Sequence, residues 1–430
     1  MDKIDVVIVG GGLAGLVAAN YLVSGGKKVV LLEKSNRQGG RAITNNKNGV
    51  LMNLGAHAIY LGGEAAATFK DFGLAIPGQH AVTSIQGIWK NDTVAIPTSL
   101  STIMSSSLLT WKGRVDYAKL MLRLMKLRIE SIRAINLSDW AEGEIKDPMV
   151  RHIFYALCRL TTYIHAPELQ LARPVLKQIK RSLKSGVIYV DGGWDTLIQM
   201  LRKRAVDAGL KIVLDKKVIE IEPLIDHQII KCSDGAAFYA ADCLMAVPPT
   251  AAYKMLKGAE RSSLRIWKEQ AIPVTAACLD LGIKSLPQPD NQFAIGLDQA
   301  VFFTNQSRAA KLSQNGTSVV SVTKYHKVNQ KEKFATGDDE LKAVMNILHP
   351  GWEEVVEEKQ YLSNITVTFD FPHVKRKQLP GPSIPEMNGI YIAGDWAGHD
   401  EMLADAAAAS GKRAAIDILN SNQAEQRKEG

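Results

Sequence analysis

The sequence predicts an α/β protein whose parallel sheet is interleaved with a second, α+β domain built of a mixed sheet and a helical subdomain. Three observations point there. A β-branched run, Ile4-Asp5-Val6-Val7-Ile8-Val9, ends at once in Gly10-Gly11-Gly12-Leu13-Ala14-Gly15 and reads as a buried parallel strand that turns into a helix. Near the other end, Gly389-Ile390-Tyr391-Ile392-Ala393-Gly394-Asp395 repeats the buried strand and glycine turn, and the small-residue helix 404–420 follows. Between the two, blocks of period-2 and helical patterning alternate, so the chain leaves the first sheet and returns to it.

Gly10, Gly12 and Gly15 occupy the three positions of G-x-G-x-x-G, the turn of a Rossmann-like dinucleotide-binding domain. Gly10 permits the tight turn, Gly12 lets a pyrophosphate approach the backbone, and Gly15 lets helix and strand pack closely. The helix that begins at Leu13 and Ala14 offers free N–H groups and its positive dipole end to phosphates. It is expected to run to about Ser24 with Leu13, Leu16, Val17, Ala19 and Leu22 inward, and Gly25-Gly26 stop it. Val29-Val30-Leu31-Leu32 is a second buried strand ending at Glu33 and Lys34, and the Glu33 carboxylate can accept hydrogen bonds from ribose hydroxyls.

Gly39-Gly40-Arg41 follow Glu33 after a short turn. With this extension the chain resembles the flavin amine oxidase and phytoene desaturase superfamily, whose fingerprint continues from the ribose-binding acid into GGR. The resemblance implies FAD, with Arg41 at the pyrophosphate. It implies that Gly55, Ala56 and His57 run along the flavin and that the backbone around Val218 holds the adenine. It also implies that Gly394 and Asp395 bind the ribityl–pyrophosphate region, while the helix end at Leu403, Ala404 and Ala406 faces the flavin O2. His57 has two readings, a catalytic residue beside the flavin or a ring that satisfies local backbone groups. No cysteine flanks His57 or the C-terminal motif, so non-covalent FAD is expected.

At 430 residues the chain is too long for one core. The expected FAD-binding domain is discontinuous, 1–80, 186–262 and 386–422, with a substrate-binding domain from 81–185 and 263–385 and a flexible tail at 423–430. Cys158, Cys232, Cys243 and Cys278 show neither CxxC pairing nor metal spacing, so structural thiols and no metal are expected. The first strand begins at once, which leaves no room for a cleavable signal, and no run reaches the roughly 20 apolar residues of a spanning helix. The expected location is the cytoplasm, free or peripheral to a membrane.

The net charge of +8 is concentrated at Lys112, Arg114, Lys119, Arg123, Lys126, Arg128 and Arg133. Without aromatic interleaving or a helix-turn-helix pattern, these exclude a nucleic-acid partner. Leu120, Leu124, Leu127 and Met121, Met125, Ile132 recur among them at helical spacing over 115–135. Residues 112–133 therefore read either as a helix with a solvated basic face or as an amphipathic helix on anionic lipid.

In chain order, Asn45 to Gly49 reads as a turn cluster, Glu64 to Phe72 as a helix capped by Gly73, and Ser84–Trp89 with Val94–Pro97 as a hairpin. Helices are expected from Ser138, from Asp147-Pro148, over 151–163 and over 173–184, then a return through Gly192-Gly193 into a helix ending at Gly209. Two short strands span Lys211 to Ile221. Further strands fall at 228–232, 237–240 and 242–247, the last stopped by Pro248-Pro249. Strands at 274–281, 318–323 and 361–369 complete the second sheet with a helix at 338–348, and 298–315 matches no pattern.

Three functions compete. The first is dehydrogenation or desaturation of an apolar, isoprenoid-like substrate by hydride transfer to flavin N5. The second is amine or protoporphyrinogen-type oxidation. In the amine branch an aromatic residue stands three before the Gly-Ala of the last helix; alignment on Ser410-Gly411 puts Leu403 there and Ala406 at the glycine, which weakens the amine reading. The third is a non-catalytic protein resembling GDP-dissociation inhibitors, against which the intact glycine, Glu33, Arg41 and Asp395 set argues. A flavin carries the redox chemistry itself, so no catalytic triad is required.

Overall fold

The computed structural model describes residues 4–81, 84–328 and 337–429, with side chains to residue 421. Val82, within the expected substrate-binding domain, and Gly430, within the expected tail, lie outside the described residues. Ile4–Val9 is buried through its last four residues because helices cover both faces of its sheet. It pairs in parallel with Val29–Leu32 on one side and with Ala237–Met245 on the other. The full order is Lys211–Val213, Val29–Leu32, Ile4–Val9, Ala237–Met245, Gln228–Cys232, Val218–Pro223, and Ile390–Ile392 also joins Ala237–Met245. One strand thus spans the two expected at 237–240 and 242–247; its first half pairs with Gln228–Cys232 and its second half with Ile390–Ile392.

The helix Leu13–Ser24 is buried on nearly all sides rather than on one face. The sheet lies beneath it, and the last helix, Leu403–Glu429, lies across it. Gly411 makes this crossing close, since a Cβ there would stand 2.4 Å from the Ala14 carbonyl oxygen. The last helix continues to Glu429, through the residues expected as a flexible tail.

The second sheet is mixed, in the order Val356–Thr368, Val274–Ile283, Ser318–Tyr325, Val301–Asn305, Phe293–Gly296, Gln86–Trp89, Asp92–Ala95, with one parallel pair between Phe293–Gly296 and Gln86–Trp89. Its helical companions are Trp111–Lys126, Leu137–Glu144, Pro148–Thr162 and Ala172–Ser185. Leu124, Leu137, Ile153, Phe154 and Leu176, each fully buried, form the core between these helices and the sheet. Three expectations change here. The helix placed at 115–135 begins at Trp111, capped by the Thr110 side chain, and ends at Lys126. The turn cluster at Asn45 is a hairpin of Thr44–Lys47 and Val50–Asn53, with Asn48 and Gly49 at φ of 49° and 87°. The unassigned 298–315 contains the fully buried strand Val301–Asn305.

Candidate active site

A cavity of about 920 Å³ runs from the glycine turn of the first sheet to the face of the second. At its first end, Gly12 caps the Leu13–Ser24 helix without any side chain, and a Cβ built on it would meet no heavy atom within 4 Å. The helix N-terminus therefore opens on a cradle lined by Gly10, Gly12, Leu13 and Ala14. Gly15 does not line the cavity; it packs, and a Cβ on it would stand 2.1 Å from the Gly10 carbonyl oxygen. Gly10 has φ of 107°, which only glycine adopts without strain.

Glu33 and Lys34 line the cradle's flank. The Glu33 carboxylate is buried and already accepts from Gly11 N at 2.7 Å and Ser35 N at 2.9 Å. Each oxygen keeps lone-pair capacity for a hydroxyl donor. Val218, at the start of its strand, lies on the same wall.

Arg41 and Asp395, 354 residues apart, meet as a bidentate pair, with Nη1 donating to Oδ2 at 2.7 Å and Nη2 to Oδ1 at 2.9 Å. Nη1 also donates to the Val367 carbonyl at 2.9 Å, and Phe369 N donates to Asp395 Oδ2 at 3.0 Å. Burial pushes the Asp395 carboxyl up, but the Arg41 charge and these hydrogen bonds outweigh it and hold the carboxyl below its usual range. Burial likewise disfavours the Arg41 cation, and Asp395 overcomes this to raise it. The turn at Gly394 is tied to the last helix by Ser410, whose Oγ donates to Gly394 O at 2.8 Å and accepts from Gly394 N at 3.0 Å.

Gly55, Ala56 and His57 line the middle of the cavity. The second sheet and a helix packed on it position them: Gly55 N donates at 3.3 Å to Asp280 of Val274–Ile283, and Tyr163 Oη, at the end of Pro148–Thr162, donates to Ala56 O at 2.6 Å. His57 Nδ1 lies 2.9 Å from Gly55 O, and its ring meets Trp194 edge-on at 5.1 Å. Burial lowers its pKa, the Arg41 charge adds to this and Gly55 opposes it, so at neutral pH the imidazole is uncharged. His57 thus both faces the cavity and satisfies a local carbonyl.

At the helix start, Leu403 and Ala404 line the cavity, and Leu403 holds φ of 56°, a left-handed conformation unfavourable for leucine. Ala406 does not line it. Fully buried, Ala406 packs on Gly398, where a Cβ would approach it to 2.6 Å, and the cavity wall is continued by Asp405 and Ala407. Trp396, the aromatic next to Asp395, lines the cavity while its Nε1 donates to Val247 O at 3.0 Å and its ring packs into the core beneath the sheet.

Several lining residues escape sequence reasoning. Asp405 stands between Ala404 and Ala406, the neighbours implied by family resemblance; it accepts from Ala65 N at 2.9 Å and pairs with Arg181 at 2.8 Å. Burial, only partly opposed by these partners, pushes it up to about 6. Cys278, 221 residues from His57 in sequence, also lines the cavity, against Gly55, so the absence of a nearby cysteine holds along the chain but not in space. Its thiol is buried and its pKa is raised, so it remains protonated. Arg308 lines the far wall with its guanidinium 5.1 Å from the Tyr189 ring centre and 5.2 Å from that of Phe293.

A backbone cradle at one end and a largely apolar chamber at the other make this a cleft for a dinucleotide and a second, less polar molecule, the layout of a cofactor-dependent oxidoreductase. The chain belongs to the family of flavin containing amine oxidoreductases, whose model matches residues 13–419. It is a flavin-dependent oxidoreductase, and FAD is its cofactor. It is 23% identical to a 15-cis-phytoene desaturase of Solanum lycopersicum over 91% of this chain and 73% of that protein. It is 23% identical to polyamine oxidase 5 of Oryza sativa subsp. japonica over 57% of this chain, a match that spans only 50% of that relative. An oxidoreductase from Methanosarcina mazei has the same fold with a TM-score of 0.79 at 18% identity, covering 95% of this chain and 99% of its own. A putative protoporphyrinogen oxidase from Exiguobacterium gives 0.73 at 18%, covering 98% and 100%, and putrescine oxidase gives 0.72 at 15%, covering 97% and 99%. Among the described residues no helix is long and apolar enough to cross a membrane.

Proposed function

We propose that the enzyme dehydrogenates an apolar, isoprenoid-like substrate. The observation that carries this reading is the wall of the chamber beyond His57, formed by Ile85, Leu160, Phe293, Phe302, Ile365 and Leu403. FAD, when bound, supplies the hydride acceptor. The N-terminus of Leu13–Ser24 at Gly12 would hold its pyrophosphate, Glu33 its ribose, Val218 its adenine, and the Arg41–Asp395 pair the ribityl–pyrophosphate region. The open cradle at Gly12 and the unused lone pairs of Glu33 support that fit. Gly55, Ala56 and His57 would lie along the flavin, with His57 uncharged and so adding no positive charge to the apolar chamber. Cys278, protonated, would form no covalent link, and acid denaturation should release all the flavin.

Leu403 supports an apolar substrate over an amine. An amine must present its neutral nitrogen to the acceptor, and aromatic faces help to orient it and keep it desolvated. Leu403, at the position where the amine branch carries an aromatic, has no such face, although Trp396, Phe293 and Phe302 line the cavity elsewhere. The phytoene desaturase named above supports the same reading. The test is anaerobic flavin bleaching by a panel of polyene precursors, amines and porphyrinogens. An apolar polyene should bleach the flavin, while benzylamine, putrescine and spermine should not. Rapid bleaching by a micromolar amine would overturn the ranking.

Arg308 favours a second reading. It donates to Gln292 O, Thr304 Oγ1 and Asn305 O, and has no carboxylate partner among the described residues. A substrate carboxylate would complete it, as the propionates of a porphyrinogen do, and the Exiguobacterium neighbour carries that name. Arg308→Met separates the two: porphyrinogen oxidation should be lost and polyene oxidation kept.

A further inference from the structure

We infer that the helices Leu100–Ser105 and Trp111–Lys126 form a face that docks the enzyme on an anionic lipid bilayer. The second helix is apolar on two sides. Gly113, Tyr117, Leu120 and Leu124 are packed against the helical core. Trp111, Val115, Leu122 and Met125 recur on the opposite side at helical spacing, and they are exposed, Trp111 by 63% and Met125 by 67%. Leu100 and Met104, one turn apart on the neighbouring helix, are 70% and 50% exposed. Single exposed apolar side chains are ordinary, but six on two helices in contact with each other are more than that pattern accounts for.

Charge identifies the partner. Lys112, Lys119 and Lys126 recur every seven residues along one flank of the stripe, all exposed and without a carboxylate partner among the described residues. The only acid of this helix, Asp116, is occupied by Lys146 N and Asp147 N, each at 2.8 Å. Apolar side chains that enter the acyl boundary, a tryptophan at the interface and lysines at the phosphate level are what an in-plane helix presents to an anionic membrane. A protein partner buried on the apolar stripe would have to match the lysine row with acids at fixed positions, whereas anionic headgroups rearrange to meet it.

The helix that carries this face also touches an element that lines the cavity. Lys180 of Ala172–Ser185 donates to Leu127 O at 2.6 Å, which holds that helix against the end of Trp111–Lys126. Three residues on, Leu183 is 51% exposed, while Ser182 and Val187 on either side of it line the cavity.

The test is co-sedimentation of the holoenzyme with phosphatidylcholine vesicles, with and without phosphatidylglycerol. Wild type should pellet with the anionic vesicles, less so at raised salt, and remain in the supernatant with neutral ones. Leu122→Gln/Met125→Gln and Lys119→Glu/Lys126→Glu should each lower the partition coefficient by about tenfold or more. Flavin absorbance and circular dichroism should stay unchanged, since these side chains are exposed. Lys211→Glu/Lys254→Glu, on other exposed surfaces, should bind as wild type. Equal pelleting of all variants, no pelleting of wild type, or a change of solution mass in the Leu122/Met125 variant would overturn the proposal, the last in favour of a second copy on this face.

Discussion

Gly12 and Gly15 belong to one motif, but the structure gives them opposite sensitivities. Gly12 caps a helix and faces open space, and asparagine is among the best N-caps. Gly12→Asn should therefore leave the thermal stability of flavin-free protein within a few degrees of wild type while weakening FAD binding by about tenfold or more, as dialysis and flavin absorbance would measure. Gly15→Ala should fail earlier, because its Cβ would meet the Gly10 carbonyl oxygen at 2.1 Å. Less soluble protein, not soluble apoprotein, is the expected result, and a stable apo Gly15→Ala would contradict the packing role. Titration adds a second residue-level prediction. Asp280 and Asp405 are raised to about 6, in both cases chiefly by burial. Between the ordinary carboxylate range and pH 6 the folded chain then binds more protons than the unfolded one, so stability falls as pH rises through that window. Each group contributes on the order of 2–3 kcal/mol at most. Asp280→Asn should flatten the dependence of the unfolding midpoint on pH between about 4 and 6, although loss of a charge-assisted acceptor for Gly55 and Gln360 lowers its overall stability. Curves that run parallel for variant and wild type would show that Asp280 is ionised throughout.

Among elements, the pair Arg41–Asp395 clamps the turn after Val29–Leu32 to the end of Ile390–Ile392, and Val367 and Phe369 add the neighbouring edge of the second sheet. Asp395→Asn keeps an acceptor for Phe369 N but removes the counter-charge. The Arg41 side chain is 39% exposed toward the cavity, so the cost is discounted from that of a fully buried pair to about 1–2 kcal/mol. Denaturation of the flavin-free variant should show that loss, and flavin retention should fall with it; an unchanged midpoint would make the pair incidental. The glycine turns were legible in the sequence because each is a backbone requirement that few residue types can meet. The helix Trp111–Lys126 was legible only in part, since its exposed stripe dilutes the buried one and two apolar faces blur the period. Val301–Asn305 was not legible: a short strand buried on both faces shows no alternation, and polar Thr304 and Asn305 interrupt its apolar run. Asp405, Cys278 and Arg308 carry no local signal, because what matters about them is the cavity that distant segments close around them.

At the scale of the whole molecule, the cofactor cleft is assembled from segments at both ends of the chain. Ile4–Val9 finds its central partner only at Ala237–Met245, and that strand receives Ile390–Ile392 later still. This long-range pairing bears on how the enzyme is born. At translation rates of about 5–20 residues per second, roughly 20–80 s separate synthesis of the first strand from that of Asp395. Until Ala237–Met245 is made, the edge of Ile4–Val9 that pairs with it lacks its partner, and until Asp395 is made no clamp exists to hold the cradle at Gly12. Ribosome-bound chains arrested before residue 390 should therefore retain no flavin, whereas released full-length apoprotein should take it up. A polypeptide that stops before the last helix should also load less flavin and be cleaved faster by proteases, because it lacks the Leu403–Ala407 stretch of the cavity wall.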